Sequence, residues 1–517
     1  MLWPEQTTAG TPIRNGSRFF RSACVATALS LGLGGCAVGP DYMPPTMALP
    51  TTWSAADGPR SSARPVLAHW WTRLKDRLLD ELIEEAVQGN LDVATAMARI
   101  REARATFDQS VGTLLPTARN TGSIMRQRNV VQVPGSTGPV DPQLATQYQV
   151  GFDASWEIDL FGKNQRGVEA ALYGIDAADQ QLRLTLLTLV GDVAANYVAA
   201  RGFEARLALA RRTAAAQRET ADLTRTRFEI GSASAVDLAN ASGQASSTEA
   251  AIPAIEAAYA QAVHRLSVLL GLAPGDLMAR MKRGAPIPRP RLPMPTGIPA
   301  DVLSSRPDVL QAERLLAQAT ARIGQAEAAR YPTISLTGNI STTGLKIGDL
   351  GKNSTIGWSF GPTLSVPIFN GGQLEAAVEI QQARRDQNFI AYRAAVLRAL
   401  EEVENAIVAL AQERIRIVKL TAAVTSYREA ATLARSLYRG GSANFFTVLD
   451  AERSLYTAED ALVQSRIALA TQYIALNKAL GGGWSGFLDA SRPEVIDPDM
   501  GPRLRRRAYS SHPWLNP

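Results

Sequence analysis

Two long segments of the chain repeat apolar residues at alternating steps of three and four positions. From Lys163 to about Glu229 there is no proline, and apolar residues stand at Leu182, Leu186, Leu189, Val193, Tyr197 and Ala200. The second half repeats the spacing at Val396, Leu400, Val403, Ile407 and Leu410, and again at Val424, Tyr427, Ala431, Ala434 and Tyr438. Such spacing is typical of coiled-coil seams. Because a helix rises 1.5 Å per residue, about 67 residues predict a rod of roughly 100 Å.

Each predicted rod ends at small residues that reverse the chain. Ser232-Ala233-Ser234 follows the first rod and Gly440-Gly441-Ser442 follows the second, and we assign Gly231, Gly440 and Gly441 to the tip turns. A helix of about 35 residues then returns along each rod. The sequence therefore predicts two long helical hairpins.

Strict alternation of apolar and polar residues predicts strands. It is clearest in residues 147–158, which read QYQVGFDASWEI, in 355–366, which read TIGWSFGPTLSV, and in 333–341. Residues 117–128 alternate poorly, and we assign them to a strand mainly by symmetry with 333–341. In isolation, a sheet with one apolar face fits a soluble sandwich as well as a membrane barrel. The secretory lipid anchor predicted at the amino terminus favours the barrel.

The two halves of the chain repeat one plan of helix, strand, loop, strand, very long helix, turn and long helix. Pro116–Ile124 matches Pro332–Ile340 at an offset of 216, and Gly231-Ser232-Ala233 matches Gly441-Ser442-Ala443 at 210. We therefore predict an internal duplication, with repeats at 73–283 and 300–484. Between them, 284–299 carries six prolines and is a linker. Residues 36–72 form an amino-terminal segment, and 485–517 form a tail.

The amino terminus has the layout of a secretory signal. Three arginines precede a short apolar run, and Leu33-Gly34-Gly35-Cys36 resembles the bacterial lipobox. We expect residues 1–35 to be the signal peptide and Cys36 to be lipidated; the alternative is an ordinary signal peptide with an incidental cysteine. The next residue is Ala37 and not the Asp that is linked to inner-membrane retention in such lipoproteins, so the resemblance to them implies the outer membrane. Elsewhere no run reaches 18 consecutive apolar residues, so no helix is expected to span a bilayer.

Composition and motifs argue against other classes of function. The net charge is +6, without a continuous basic face, so no nucleic-acid partner is expected. Gly357-Trp358-Ser359-Phe360-Gly361 fits the G-x-S-x-G nucleophile elbow, but it lies inside a predicted strand and Pro362 follows. The three histidines lack metal-ligand spacing, and there is no nucleotide motif. We expect no enzyme activity, no cofactor and no metal site. Cys24 would leave with the leader, which excludes a disulfide framework.

Four strands per chain cannot close a barrel, and an open sheet edge cannot survive in lipid. Closure needs two chains with eight strands or three chains with twelve, and this argument alone does not choose. An eight-stranded barrel is filled by its own side chains, so a conduit needs more strands.

Several short motifs resemble the outer membrane factor family, the TolC-like efflux proteins, and best its NodT-type lipoprotein branch. The resemblance extends over about 37–484. The motifs that carry it are Cys36–Tyr42, Asp159–Lys163, Ser305–Val309, Ala328–Pro332 and Val366–Gly372. The resemblance implies an α+β membrane protein: a homotrimer whose twelve-stranded β-barrel, four strands per chain, continues into a long coiled-coil α-helical barrel. It implies an outer-membrane location, a periplasmic adaptor and an inner-membrane pump, often of the resistance-nodulation-division class.

The resemblance also implies a gate at the hairpin tips. Asp237 and Asp450 match the family's acidic constriction, with Arg227 and Arg439 close by in the sequence to supply tip contacts. Thr447 and Ala443 depart from some members, which carry Asp and Arg there. The alternative is that both aspartates are solvated helix surface. For the whole chain, the alternatives to an efflux duct are a lipid-anchored coiled-coil scaffold without a pore and a porin-like channel.

Overall fold

The computed structural model describes residues 37–54, 68–129, 143–290, 305–486, 488, 495–496 and 504–505. They belong to two compact units. A sheet unit holds the described residues up to 43 together with 106–173 and 317–387, and a helical unit holds the remainder. Cys36 and the predicted signal peptide lie outside the described residues, as do residues 291–299 of the predicted linker.

The main elements follow the predicted order. The helices are α1 Arg77–Gly89, α2 Leu91–Gly112, α3 Lys163–Glu229, α4 Ala235–Leu269, α5 Met278–Met281, α6 Pro307–Ala328, α7 Gln373–Arg439 and α8 Phe445–Ala479. Short 3-10 helices are Trp70–Leu74, Ile347–Asp349 and Asn353–Thr355. The strands are β1 Thr117–Asn129, β2 Gln143–Ile158, β3 Thr333–Gly344, β4 Ile356–Ser365, β5 Val495–Ile496 and β6 Leu504–Arg505, of which β5 and β6 pair with each other.

Corresponding elements of the two halves have equal lengths. Helices α3 and α7 each contain 67 residues, α4 and α8 each contain 35, and α2 and α6 each contain 22. These lengths confirm the predicted long rods, the returning helices and the internal duplication. The exact domain boundaries stay a prediction.

The main sheet of the sheet unit is an antiparallel meander in the order β1-β2-β3-β4. Strand β1, assigned from repeat symmetry, pairs with β2 along its whole length, from Thr117 opposite Ser155 to Asn129 opposite Gln143. Strand β4 ends at Ser365, one residue before the predicted boundary.

The core of the helical unit forms along the predicted seam. Leu182, Leu186, Leu189, Val193 and Tyr197 are all buried, so the spacing of three and four does place one helix face in the core. Burying a Leu or Val side chain contributes about 1.5–3 kcal/mol relative to leaving it exposed.

A half-buried hydrogen-bond chain ties the start of α1 to this core. The Asp76 carboxylate caps α1 by accepting from the backbone N–H groups of Leu78 and Leu79 at 3.1 and 3.3 Å. The Tyr197 hydroxyl donates to the same carboxylate at 2.7 Å. Burial and this bond raise the pKa of Tyr197 well above its ordinary range, so its hydroxyl stays a donor at physiological pH.

One helix among the described residues passes a length-and-composition test for a membrane span. Helix α3 contains an 18-residue window with a mean hydropathy of 1.2, and 56% of that window is buried inside the protein. A core helix passes the same test, so this finding is weak support for a helical span.

Candidate functional site

The main sheet presents a row of large apolar side chains to its surroundings. Phe152, Ile340 and Trp358 lie directly opposite one another on β2, β3 and β4. Their exposed fractions are 59%, 51% and 78%. Residues that face each other across strands share one face of a sheet, so the row forms a continuous apolar surface. Water disfavours such a surface, whereas lipid accommodates it.

The neighbouring row on the same strands is polar. Asp153 lies opposite Asn339, which lies opposite Ser359. Asp153 accepts hydrogen bonds from Asn339 at 2.5 Å and from Thr121 on β1 at 2.9 Å. Ser359 therefore stands in the middle of β4, not at a strand-to-helix turn, and lacks the geometry of a nucleophile elbow.

The two outer strands leave edges that the described residues do not cover. In the described part of the chain, β1 pairs only with β2 and β4 only with β3. Each edge carries peptide N–H and C=O groups that need partners if the apolar row faces lipid. The sheet therefore has the chemistry of a barrel segment that other strands must complete.

Matching turns end the two helical hairpins. Gly231 has a φ of 76° and Gly441 a φ of 79°, the left-handed conformation that favours glycine. In each turn the next residue donates its N–H five residues back, Ser232 to Arg227 O at 2.7 Å and Ser442 to Leu437 O at 2.9 Å. These are Schellman caps. Gly440 is outside the left-handed region, so of the three predicted tip glycines only Gly231 and Gly441 need to be glycine on backbone grounds.

Asp237 lies in the first turn of α4 and closes a capping box. Its carboxylate accepts from the backbone N–H and hydroxyl of Ser234 at 3.0 and 2.8 Å, while the Ser234 hydroxyl accepts from the Asp237 N–H at 3.0 Å. The carboxylate also stabilises the positive end of the helix dipole. Asp237 therefore has a structural role at the tip, whatever its role in a gate.

Of the other three predicted gate residues, Arg227 lies in the last turn of α3, and Arg439 and Asp450 lie near the tip of the second hairpin. Asp450 is exposed in the first turns of α8. The Arg227 guanidinium lies 4.4 Å from the ring centre of Tyr438 and donates to Arg439 O at 3.1 Å. The Arg439 guanidinium donates to Glu219 at 2.7 Å. Within one chain, the two arginines thus join the hairpins to each other and not to the predicted aspartates.

A small cluster beneath the tips was not predicted from the sequence. The Tyr438 and Thr224 hydroxyls are 3.1 Å apart, and because Thr224 donates to Thr220 O at 2.8 Å, Tyr438 is the donor between them. Glu452 is only 5% exposed and accepts from Arg435 at 2.8 Å and from the Thr220 hydroxyl at 3.2 Å.

One sequence signal could have located Glu452. It follows Phe445 and Leu449 at steps of four and three, so a carboxylate occupies a seam position where apolar residues are the rule. Its partners come from segments distant in sequence, which spacing alone does not reveal.

Nothing in the described part of the chain indicates a metal centre. His, Cys, Asp and Glu side chains do not gather there in groups of three or more that could hold a metal ion. His512 and both cysteines lie outside that part.

Known proteins resemble this chain in sequence and fold. The family model described as outer membrane efflux protein matches residues 82–272 and 298–482. Nodulation protein T of Rhizobium leguminosarum bv. trifolii is 35% identical over 459 residues, which cover 88% of this chain and 96% of that protein.

Another relative and a solved structure agree. The probable efflux pump outer membrane protein TtgC of Pseudomonas putida is 32% identical over 461 residues, covering 87% of this chain and 93% of that protein. The solved outer-membrane channel OprN is 32% identical, with a TM-score of 0.81, and the match covers 87% of this chain and 100% of that one.

The buried carboxylate of Glu452 makes the tip cluster testable. Arg435→Met leaves that carboxylate without its cationic partner and should lower the free energy of tip opening by about 1–3 kcal/mol, a loss reduced by the partial exposure of Arg435. Adding Glu452→Leu should restore most of the loss because no unpaired charge then stays buried. Hydrogen exchange of the amides between Tyr438 and Leu449 measures both effects.

Arg428→Met is the matched control. Arg428 pairs with Glu459 at 2.5 Å, but its own side chain is 60% exposed, so its loss should change exchange little. A double variant as unstable as Arg435→Met alone would contradict the assignment of Glu452.

Proposed function

Because this chain belongs to the outer membrane efflux protein family, we propose that it is the exit duct of a tripartite efflux pump. The family resemblance predicted from the sequence motifs is confirmed by the relatives and the solved channel. The family consists of outer-membrane transport proteins and is not a family of enzymes. An outer-membrane location and a role in efflux follow for this chain.

The two contrasting faces of the main sheet are the observation that best supports a duct. Its apolar row, Phe152, Ile340 and Trp358, suits lipid, and the adjacent row through Asp153 suits a water-filled lumen. A scaffold without a pore would have no use for a sheet with these two faces. The polar row therefore favours a conduit over the alternative of a lipid-anchored coiled-coil scaffold.

We infer that three copies assemble. Two copies would give eight strands and a barrel filled by its own side chains, whereas three give twelve strands and room for a passage. The long helices of each copy would then line a periplasmic extension of the same tube. Each copy would be anchored in outer-membrane lipid by acyl chains on Cys36.

The duct conducts small toxic compounds passively. Without a nucleotide motif, its energy comes from partner proteins, which we propose to be a periplasmic adaptor and an inner-membrane pump of the resistance-nodulation-division class. In this scheme the chain itself catalyses no reaction and binds no cofactor.

The hairpin tips form the gate in this proposal. In a trimer, Asp237 and Asp450 each occur three times around one axis, and acidic rings at a narrow mouth attract cations. The contacts of Arg227 and Arg439 hold the two hairpins of one chain together, which supports a closed tip. The adaptor would open the mouth by competing for the same hairpins.

Deletion of the protein tests the efflux role. We expect deletion to raise sensitivity to at least one toxic compound, measured as the minimal inhibitory concentration, and expect the wild-type chain to restore resistance. Ser359→Ala should restore it equally because Ser359 is a mid-strand residue. If Ser359→Ala assembled normally but failed to restore resistance, the proposed absence of catalysis would be wrong.

Charge-only substitutions test the gate. Asp450→Asn together with Asp237→Asn removes two charges per chain while asparagine keeps an oxygen acceptor for the capping box. In planar bilayers, we expect the reversal potential under a salt gradient to shift toward zero and block by divalent cations to weaken several-fold.

Asp222→Asn is the matched control for this experiment. Asp222 is an exposed residue of α3, paired with Arg225 at 3.5 Å and set back from the turn, so its loss should leave selectivity unchanged. If the double variant formed normal channels with unchanged selectivity and block, Asp237 and Asp450 would not form the constriction.

A further inference from the structure

Three of the sequence motifs converge at one place in the sheet unit. Val38, from the segment that follows Cys36, donates its N–H to Phe161 O at 3.1 Å. The Phe161 ring, from the motif 159–163, stacks on Tyr331 at a centroid distance of 4.7 Å. Tyr331 belongs to the motif 328–332. Phe161 lies in the connection between β2 and α3, and Tyr331 lies in the connection between α6 and β3.

A buried arginine holds the amino-terminal segment there. The Arg166 guanidinium donates to Val38 O and Gly39 O, both at 3.3 Å, and to the carboxylates of Asp41 and Glu169, both at 2.7 Å. The Arg166 side chain is 7% exposed. Four acceptors in different directions require the rigid fork of a guanidinium, because a lysine has only three donors on one nitrogen.

The backbone of residues 37–39 lies very close to the backbone at Gly162 and Gly324. Gly39 has a φ of +95°, and a Cβ on it would lie 2.3 Å from Gly324 Cα. A Cβ on Gly324 would lie 2.9 Å from Val38 O, and one on Gly162 would lie 2.8 Å from Ala37 Cα. Side chains at these glycines would push the segment away.

Both repeats contribute residues that contact the amino-terminal segment. Phe161 and Arg166 come from the first repeat, whereas Gly324 and Tyr331 come from the second. The segment can therefore dock only after the strand-to-helix junction of one repeat and the helix-to-strand junction of the other have formed. Docking of residues 37–42 therefore depends on contact between the two repeats.

We propose that residues 37–42, seated on Phe161, Arg166, Gly324 and Tyr331, form an amino-terminal dock that couples the lipid anchor to the sheet, with Arg166 as its positioning residue. The proposal rests on lipidation of Cys36. Cys36 is bonded to Ala37, so the predicted acyl chains belong to the residue next to the first residue of the dock. Ala37 lies against Gly162, shortly after β2 ends at Ile158. The anchor and the sheet then enter the membrane as one body and not through a loose tether.

Hydrogen exchange of peptides covering 37–43 in the detergent-solubilised mature protein tests the dock. Arg166→Ala should speed exchange of the Val38 amide roughly tenfold to a hundredfold, the range expected for lost hydrogen bonds to a charged group. Arg166→Lys should be intermediate. Arg385→Ala, which removes an exposed arginine from the same unit, should have no effect. Unchanged exchange in Arg166→Ala would overturn the proposal.

Gly324→Ala separates docking of the segment from a simple effect on helix stability, because the two predict opposite changes in exchange. Alanine inside a helix is favoured over glycine, so α6 on its own would be stabilised. If the segment docks against Gly324, the new methyl group instead displaces it, and exchange of the Val38 amide rises while α6 stays protected. Slower or unchanged exchange at Val38 would overturn the close fit.

A second experiment separates coupling of the anchor from simple stabilisation. Arg166→Ala is made in the lipoprotein and in a form exported with an ordinary signal peptide and carrying Cys36→Ser. We expect the amount of folded protein recovered in the outer membrane to fall several-fold in the lipoprotein and to stay within twofold in the unlipidated form. Equal fractional losses would overturn the coupling. Absence of palmitate from the wild-type chain would overturn the lipid anchor and with it this proposal. The proposed efflux duct would still stand if the wild-type chain restored drug resistance to the deletion strain.

Discussion

The peptide groups along the outer edges of β1 and β4, which no described strand pairs, set the strongest constraint on this molecule. In water an open edge is solvated, but in hydrocarbon each unpaired N–H or C=O group costs several kcal/mol. The apolar row of Phe152, Ile340 and Trp358 makes the main sheet a membrane segment, so both edges need partner strands. Further copies of the chain supply those strands most simply, and the proposed trimer, the lumen and the threefold tip all follow from this need.

Much of the fold could be predicted because its elements are long and regular. A seam such as Leu182 to Tyr197 fixes a helix by its period, and alternation such as that in 147–158 fixes a strand by its period. Strand β1 alternates poorly, and only duplication of the sequence located it. The turn at Gly441 was predicted too, but the need for glycine falls on Gly441 and not on Gly440, because a dipeptide of glycines does not reveal which one takes the left-handed conformation.

The candidate site was less accessible to sequence reasoning because its contacts join residues far apart in the chain. The Tyr438 hydroxyl meets Thr224 across 214 positions, and Thr220 meets Glu452 across 232. No periodicity encodes such pairs. The acidic residues at the tips were found through a family resemblance, and the structure adds that Asp237 caps α4, a local role that any test of the gate has to preserve.

The need to close the sheet is tested most directly by native mass spectrometry of the mature protein in detergent, combined with circular dichroism of the same sample. The account predicts a trimer that resists dissociation and carries the full β content of the sheet. A stable monomer with full β content would contradict it, because its two sheet edges would then persist without partners.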